Sequence, residues 1–238
     1  MPLSATLPES AVIRAVVTDI EGTTSSIAFV HEVLFPYARS HLGDFLRKHY
    51  REAAVADCLQ NIRQTTGKDM ALEDIICQLD EWMATDRKIT ELKTLQGFVW
   101  ADGYANGDFK GHIYEDAWRQ LAAWHRQGIS LYIYSSGSVR AQQLLFGHTA
   151  YGDLNELFAG YFDTRIGAKT EQASYRHIAE QLAVPAAEIL FLSDIRQELD
   201  AARAAGMQTR WLVRDGAVDK AAEHIQVTDF NKISPGLL

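Results

Sequence analysis

Residues 11–24 read AVIRAVVTDIEGTT, and the way this stretch ends decides the fold. Its first nine residues form a β-branched apolar run, the pattern of a buried strand. The run stops at Asp19, and Asp-Ile-Glu-Gly-Thr-Thr follows as a polar loop. From residue 27 to about 91 the apolar period becomes helical. Val30, Leu34, Ala38, Leu42 and Phe45 line one face, and Leu72, Ile75, Ile76, Leu79, Trp82 and Met83 line another at spacings of three and four. Several packed helices are expected there. Residues 97–112, GFVWADGYANGDFKGH, hold four of the chain's 16 glycines. That density is expected to break helices and to form a hinge-like or substrate-facing loop.

Beyond this point the pattern alternates. Helices are expected near 114–126, 139–146, 172–183 and 197–205, between strands at 130–134, 161–163, 189–192 and 209–213. Repeated βα units imply a parallel sheet covered on both faces. The chain therefore reads as an α/β core, residues 1–26 and 112–238, with a helical insert at 27–111 after the first strand. Residues 2–8 and the tail after about 216 are weakly specified.

A chain of 238 residues suits one large domain or a core with an insert, and 47% hydrophobic with 23% charged residues is ordinary globular usage. Lys plus Arg number 23 against 31 Asp plus Glu, a net charge of −8. The overall field repels nucleic acid and anionic membranes, so an anionic substrate needs a local positive site. Residues 1–14 lack a basic start followed by an apolar run, and no stretch approaches the ~20 apolar residues of a membrane span. Cys58 and Cys77 form no CxxC and have no His at ligand spacing. They read as reduced, packed thiols of a cytoplasmic protein.

In an open α/β sheet, ligands bind at the carboxyl ends of the strands. The first strand ends at Asp19, with Glu21 two residues on; the second ends at Ser135-Ser136-Gly137. The short strand near Phe162 leads through Gly167 to Lys169, and the next ends at Ser193-Asp194. Each has a plainer reading alone: a turn residue, an ordinary loop, a solvated charge, a helix N-cap. Together they make a phosphoryl-transfer site. Carboxylates from separate strands suit Mg2+, which takes few protein oxygens plus waters and phosphate. Residues 21–24 offer backbone N–H groups and hydroxyls to an anion, and Ser135 and Lys169 can hold outer phosphate oxygens.

The order DxEGT, a strand ending in Ser-Ser-Gly, a Lys, and a strand ending in Asp resembles the haloacid dehalogenase superfamily. Glu21 stands where the usual motif has Asp. With VVTDIEGTT (16–24), FVHEVLFPYAR (29–39), LQGFVWADGY (95–104), YIYSSGS (132–138) and LFLSDIRQELDAA (190–202), the chain is similar to the enolase-phosphatase branch. The resemblance implies a Rossmann-like core with a helical cap and a Mg2+-dependent, two-step reaction. It implies that 2,3-diketo-5-methylthiopentyl-1-phosphate is enolised and then dephosphorylated to an acireductone in methionine salvage. Carried over by motif, Asp19 is nucleophile and metal ligand, and Asp194 a second ligand. Glu21 takes the acid/base position, with its main chain near the metal. Ser135 and Ser136 bind substrate, and Lys169 steadies phosphate and nucleophile.

Lesser signals remain. His31 and Phe35 sit one helical turn apart, Trp100 and Tyr104 are candidates for lining an apolar pocket or for plain packing, and Glu198, four residues after Asp194, is a candidate for orienting Lys169 or a metal-bound water or for a plain surface position. The expected partner is a small phosphate ester as substrate, with no nucleic acid or membrane, and the chain is expected to be a monomer. The competing reading is another Mg2+-dependent phosphatase of the superfamily, acting on a sugar or acid phosphate.

Overall fold

The computed structural model describes residues 12–216, 218–219 and 221–234. The apolar run that opens the chain is strand β1 (Ala15–Thr18), with all four residues buried. The expected strand began at Ala11, which lies outside the described residues, as do residues 2–8.

After β1 come one turn of helix, α1 (Ile27–Phe29), a π-helical segment (Val30–Leu34), and α2 (Phe35–His49), α3 (Ala53–Thr66), α4 (Leu72–Ala84) and α5 (Thr90–Asn106). Pro36 sits in the first turn of α2, directly after the π-helical segment, and the backbone is already helical at Leu34 and Phe35. Residues 28–110 form a compact unit of their own. Its core holds Leu42, Leu46, Ile62, Ile75, Leu79 and Leu95, all essentially inaccessible to solvent. Leu42, Ile75 and Leu79 come from the helical faces read in the sequence, whereas Leu46, Ile62 and Leu95 extend the core beyond them.

The glycine-rich stretch is not the loop its composition suggests. Gly97 and Gly103 lie inside α5, which continues to Asn106 and stops only at Gly107, where φ is +76°. A Cβ on Gly103 would stand 2.5 Å from the Phe109 ring and 2.8 Å from the Tyr37 ring. Glycine there lets the helix approach two aromatic rings, and burial of Leu92, Leu95, Val99 and Tyr104 outweighs the weak helix propensity of ~1 kcal/mol per glycine.

The other unit, residues 1–27 and 111–238 by chain segment, carries the sheet. In chain order it continues with α6 (Glu115–Arg126), β2 (Ser130–Tyr134), α7 (Val139–Gly147), β3 (Gly160–Phe162) and α8 (Gln172–Leu182). Then follow β4 (Ile189–Ser193), α9 (Arg196–Ala204), β5 (Gln208–Leu212) and β6 (Gln226–Val227). The six strands run in the order β3-β2-β1-β4-β5-β6, every pair parallel. The α/β, Rossmann-like class is the one expected. β6 and the 3-10 turn Phe230–Lys232 were not expected, because two-residue strands carry no period to read.

Ala15, Val17, Ile189 and Phe191 point to one face of the sheet and pack with Tyr175, Ile178 and Leu199 of α8 and α9. Trp124 of α6 is fully buried and meets Phe230 with ring centroids 5.9 Å apart. Thr18 stands level with Ile133 and Leu192, so β1, β2 and β4 end together. β1 lies between strands that follow it in opposite directions across the sheet, and this reversal opens a crevice at their carboxyl ends. Of the two cysteines, Cys58 is buried as expected, whereas Cys77 is exposed on α4; both are free thiols.

Candidate active site

Asp19 is the first residue beyond β1, and its N–H still donates to the Leu192 carbonyl at 2.9 Å. It is buried, and its two carboxylate oxygens are unequally held. Oδ1 accepts from Lys169 Nζ at 2.5 Å, while Oδ2 has a long 3.5 Å contact from the Thr23 hydroxyl. Thr24 Oγ1 donates to the Asp19 carbonyl at 3.1 Å and pins the turn.

Lys169 lies between two carboxylates, pairing also with Glu198 Oε2 at 2.7 Å. Burial alone would lower its pKa, but Asp19 and Glu198 outweigh burial and raise it, so the ammonium is fully charged. The Lys169 carbonyl accepts from Tyr175 Oη at 2.7 Å, which anchors the main chain beneath it. Ser193 donates from Oγ to Glu198 at 2.8 Å and accepts from the Ile195 N–H at 3.0 Å. Burial and the nearby Asp19 charge raise the Glu198 pKa despite Lys169.

Asp194 follows β4. It is not the cap of α9, whose N-terminal flank is Ile195 with no side-chain cap bond. Its carbonyl accepts from Trp211 Nε1 at 2.8 Å, and its N–H donates to Thr23 Oγ1 at 3.0 Å. Its Oδ1 is buried with no hydrogen-bond partner. Burial, then the Asp19 charge, push its pKa up to about 7. Gly22, at φ +73°, passes so close that a Cβ there would fall 2.2 Å from Asp194 Oδ2. Only a residue without a side chain lets the loop close on this carboxylate.

Asp19 and Glu198 thus share one lysine, and close by the half-buried Asp194 keeps one carboxylate oxygen without a hydrogen-bond partner. Such a set favours an added cation with hard-oxygen preference. Among the described residues no group of three or more His, Cys, Asp or Glu side chains is disposed to hold a metal. Mg2+ does not need one, since it binds through one or two carboxylates and keeps several waters. Asp19 and Asp194 fit that requirement.

Glu21 is half-buried in the same loop, bridged to Ser25, with Gly22 N–H donating to the Ser25 carbonyl at 2.8 Å. Ser135 is buried beyond β2, its Oγ accepting from the Gly137 N–H at 3.2 Å, and Ser136 is exposed. Gln142 shapes this loop through bonds to the Gly137 and Phe162 carbonyls at 2.7 and 2.9 Å. The structure therefore joins Asp19, Lys169, Glu198 and, through Thr23, Asp194. It sets Glu21, Ser135 and Ser136 on loops at the same sheet edge. Tyr175 and Trp211 were missed, because each acts through a single side-chain contact that leaves no spacing to read, and Ser193, read only as a strand end, turns out to hold Glu198.

Within the helical unit, the His31 ring meets Phe35 edge-on at 5.6 Å, Trp100 Nε1 donates to the Leu34 carbonyl at 2.8 Å, and Tyr104 rests on Phe109 at 4.5 Å. Trp100 and Tyr104 both make packing contacts inside that unit.

A family model for haloacid dehalogenase-like hydrolases matches residues 13–206. Enolase-phosphatase E1 of Methylococcus capsulatus is 59% identical over 228 residues, covering 95% of this chain and 100% of that protein. Enolase-phosphatase E1 of Serratia proteamaculans is 57% identical over 225 residues, covering 94% and 98%. The crystal structure of the UTR4 protein from Saccharomyces cerevisiae superposes with a TM-score of 0.79 at 34% identity, over 93% of this chain and 100% of that one.

Proposed function

The chain belongs to the haloacid dehalogenase-like hydrolases and, within them, to the enolase-phosphatase E1 enzymes, and we propose that it converts 2,3-diketo-5-methylthiopentyl-1-phosphate to the acireductone 1,2-dihydroxy-3-keto-5-methylthiopentene plus phosphate in methionine salvage. The observation that carries the chemistry is the buried Asp19–Lys169–Glu198 chain beside the partnerless Asp194 oxygen.

Lys169 holds Asp19 Oδ1, which leaves Oδ2 as the oxygen assigned to attack phosphorus. The new bond joins Asp19 to phosphorus as the ester P–O bond breaks, and the leaving oxygen takes a proton from the acid in the loop, assigned to Glu21. Water then opens the aspartyl phosphate, Glu21 accepts its proton, and the Asp19 carboxylate is restored. Ser135 and Ser136 bind the substrate by hydroxyl and main-chain donors, and Lys169 offsets anion–anion repulsion. We assign the cation to Mg2+, held by Asp19, Asp194 and the Glu21 main chain; when bound it neutralises phosphoryl charge and stabilises enolate oxygens. Asp194, rigidly hydrogen-bonded through its main chain, is preset for that role.

Among the described residues no helix is long and apolar enough to cross a membrane. We read the enzyme as a cytoplasmic monomer, for which a single mass near 26.6 kDa in solution is the check.

A time course of the diketone phosphate with Mg2+, reading enol absorbance and free phosphate together, tests the function. An enol signal preceding phosphate, and absent in Asp19→Asn and in metal-free enzyme, is the expected result. Phosphate release with no enol product would assign the site to an ordinary phosphatase.

A further inference from the structure

Arg214 lies just beyond β5, away from every motif, yet its side chain is only 9% exposed. Nε and Nη2 donate to the Thr23 carbonyl at 3.1 and 2.8 Å. Nη1 donates to both Asp116 oxygens at 2.8 and 2.7 Å, and the guanidinium lies 4.0 Å from the Tyr114 ring centroid. Asp116 Oδ2 also accepts the Phe230 N–H at 2.8 Å, and the Tyr114 N–H donates to the Thr24 carbonyl at 2.9 Å. One side chain thus ties the loop after β1 to the start of α6 and to the Phe230–Lys232 turn.

Asp116 is sufficient to neutralise a buried guanidinium. The two bonds to Thr23 are the part that charge balance leaves unexplained. They are aimed at the one residue whose hydroxyl touches both Asp19 Oδ2 and the Asp194 N–H. The C=O and N–H of a trans peptide point in opposite directions, so holding the Thr23 carbonyl on Arg214 also turns the Thr24 N–H away from it.

We infer that Arg214 is a positioning residue for the reaction: by clamping the Thr23 carbonyl it sets the spacing of the Asp19 and Asp194 carboxylates, and with it the shape of the cation and phosphoryl site. The inference rests on the function proposed above and deepens it. Arg214 acts only through Thr23. A lysine offers no planar fork, so it cannot hold Thr23 and Asp116 in these geometries together.

The test compares Arg214→Ala, Arg214→Lys and, as a packing control, Leu121→Ala, which removes a buried α6 side chain. Calorimetry reads Mg2+ affinity of the resting enzyme, kinetics read kcat and KM for the diketone phosphate, and thermal unfolding reads Tm. Arg214→Ala is expected to weaken Mg2+ binding and to lower kcat by about 10–100-fold each, the range typical of lost ligand-supporting contacts. KM at saturating Mg2+ stays within about threefold of wild type. Guanidinium chloride restores part of the kcat of Arg214→Ala but not of Arg214→Lys. Leu121→Ala loses Tm while keeping Mg2+ affinity and kcat. Should Arg214→Ala fail to fold, Arg214→Lys decides on the same readouts. Wild-type Mg2+ affinity in the Arg214 variants, or losses that Leu121→Ala reproduces at equal Tm, would overturn the inference. A wild type that binds Mg2+ but releases no phosphate overturns the proposed function instead, and the calorimetric comparison still judges Arg214.

Discussion

Lys169 carries one positive charge into the space between Asp19 and Glu198, and the two carboxylates are not equivalent in what their loss would do. Replacing Asp19 removes the attacking group, and Asp19→Asn is expected to lose activity on the order of 10⁴–10⁶-fold, as when other enzymes lose a nucleophile or its base. Glu198 is a support. Its substitution by Gln keeps the bond to Ser193 within reach and leaves Asp19 to balance Lys169, so the expected loss in kcat is about 10–100-fold. Because Lys169 keeps its bond to Asp19, KM for the phosphate ester should change little. Steady-state kinetics on the purified variant check both; a kcat equal to wild type would make Glu198 a structural counter-ion only.

Two glycines in α5 separate the costs of helix formation and of packing. A Cβ on Gly97 meets nothing within 4 Å, so Gly97→Ala should stabilise the helix by up to ~1 kcal/mol. At Gly103 the same gain is set against overpacking of the Phe109 and Tyr37 rings, which costs about 1–3 kcal/mol, and the net change is destabilising. Urea unfolding of the two variants should move the midpoint in opposite directions, and a stabilised Gly103→Ala would show that the rings yield freely. The same helix marks where sequence reading falls short. Four glycines in one stretch outvote the apolar residues between them, and nothing local reveals that Gly103 answers to Tyr37, far back in the chain. By contrast, Asp19, Ser135 and Asp194 are legible because each ends an apolar run, and strand ends in a parallel sheet converge. Lys169 follows a short strand of only three residues, yet its place after Gly167 still marks it. Arg214 and Asp116 leave no such trace, since their partnership exists only once β5 and α6 are folded together.

Over the whole molecule, pH enters through His112, where the chain returns from the helical unit. Its Nδ1 accepts the Ser26 N–H at 3.0 Å, a bond available only to an unprotonated nitrogen. Burial, with the Arg214 charge adding to it, lowers its pKa below the usual 6.5. A histidine with a lowered folded-state pKa contributes stability that is complete above the unfolded value and is lost as pH falls through the folded one. The unfolding midpoint in urea should therefore drop between pH 7 and pH 5 more steeply in wild type than in His112→Asn. Parallel slopes in the two proteins would remove His112 as a source of acid sensitivity.

The position of β1 at the centre of the sheet also sets a timetable. Ala15 pairs with Ser130 on one side and with Ile189 on the other, while residues 28–110 contain their own helical core. At a ribosomal pace of about 5–20 residues per second, the second flank of β1 leaves the ribosome roughly 10–35 s after β1 itself. The helices of residues 28–110, built from neighbours in the chain, have ample time to assemble in that interval. The central strand of the sheet is made first and gains its second partner only with β4, so during synthesis the nascent chain carries it with an open pairing edge, a point at which a chaperone has something to protect.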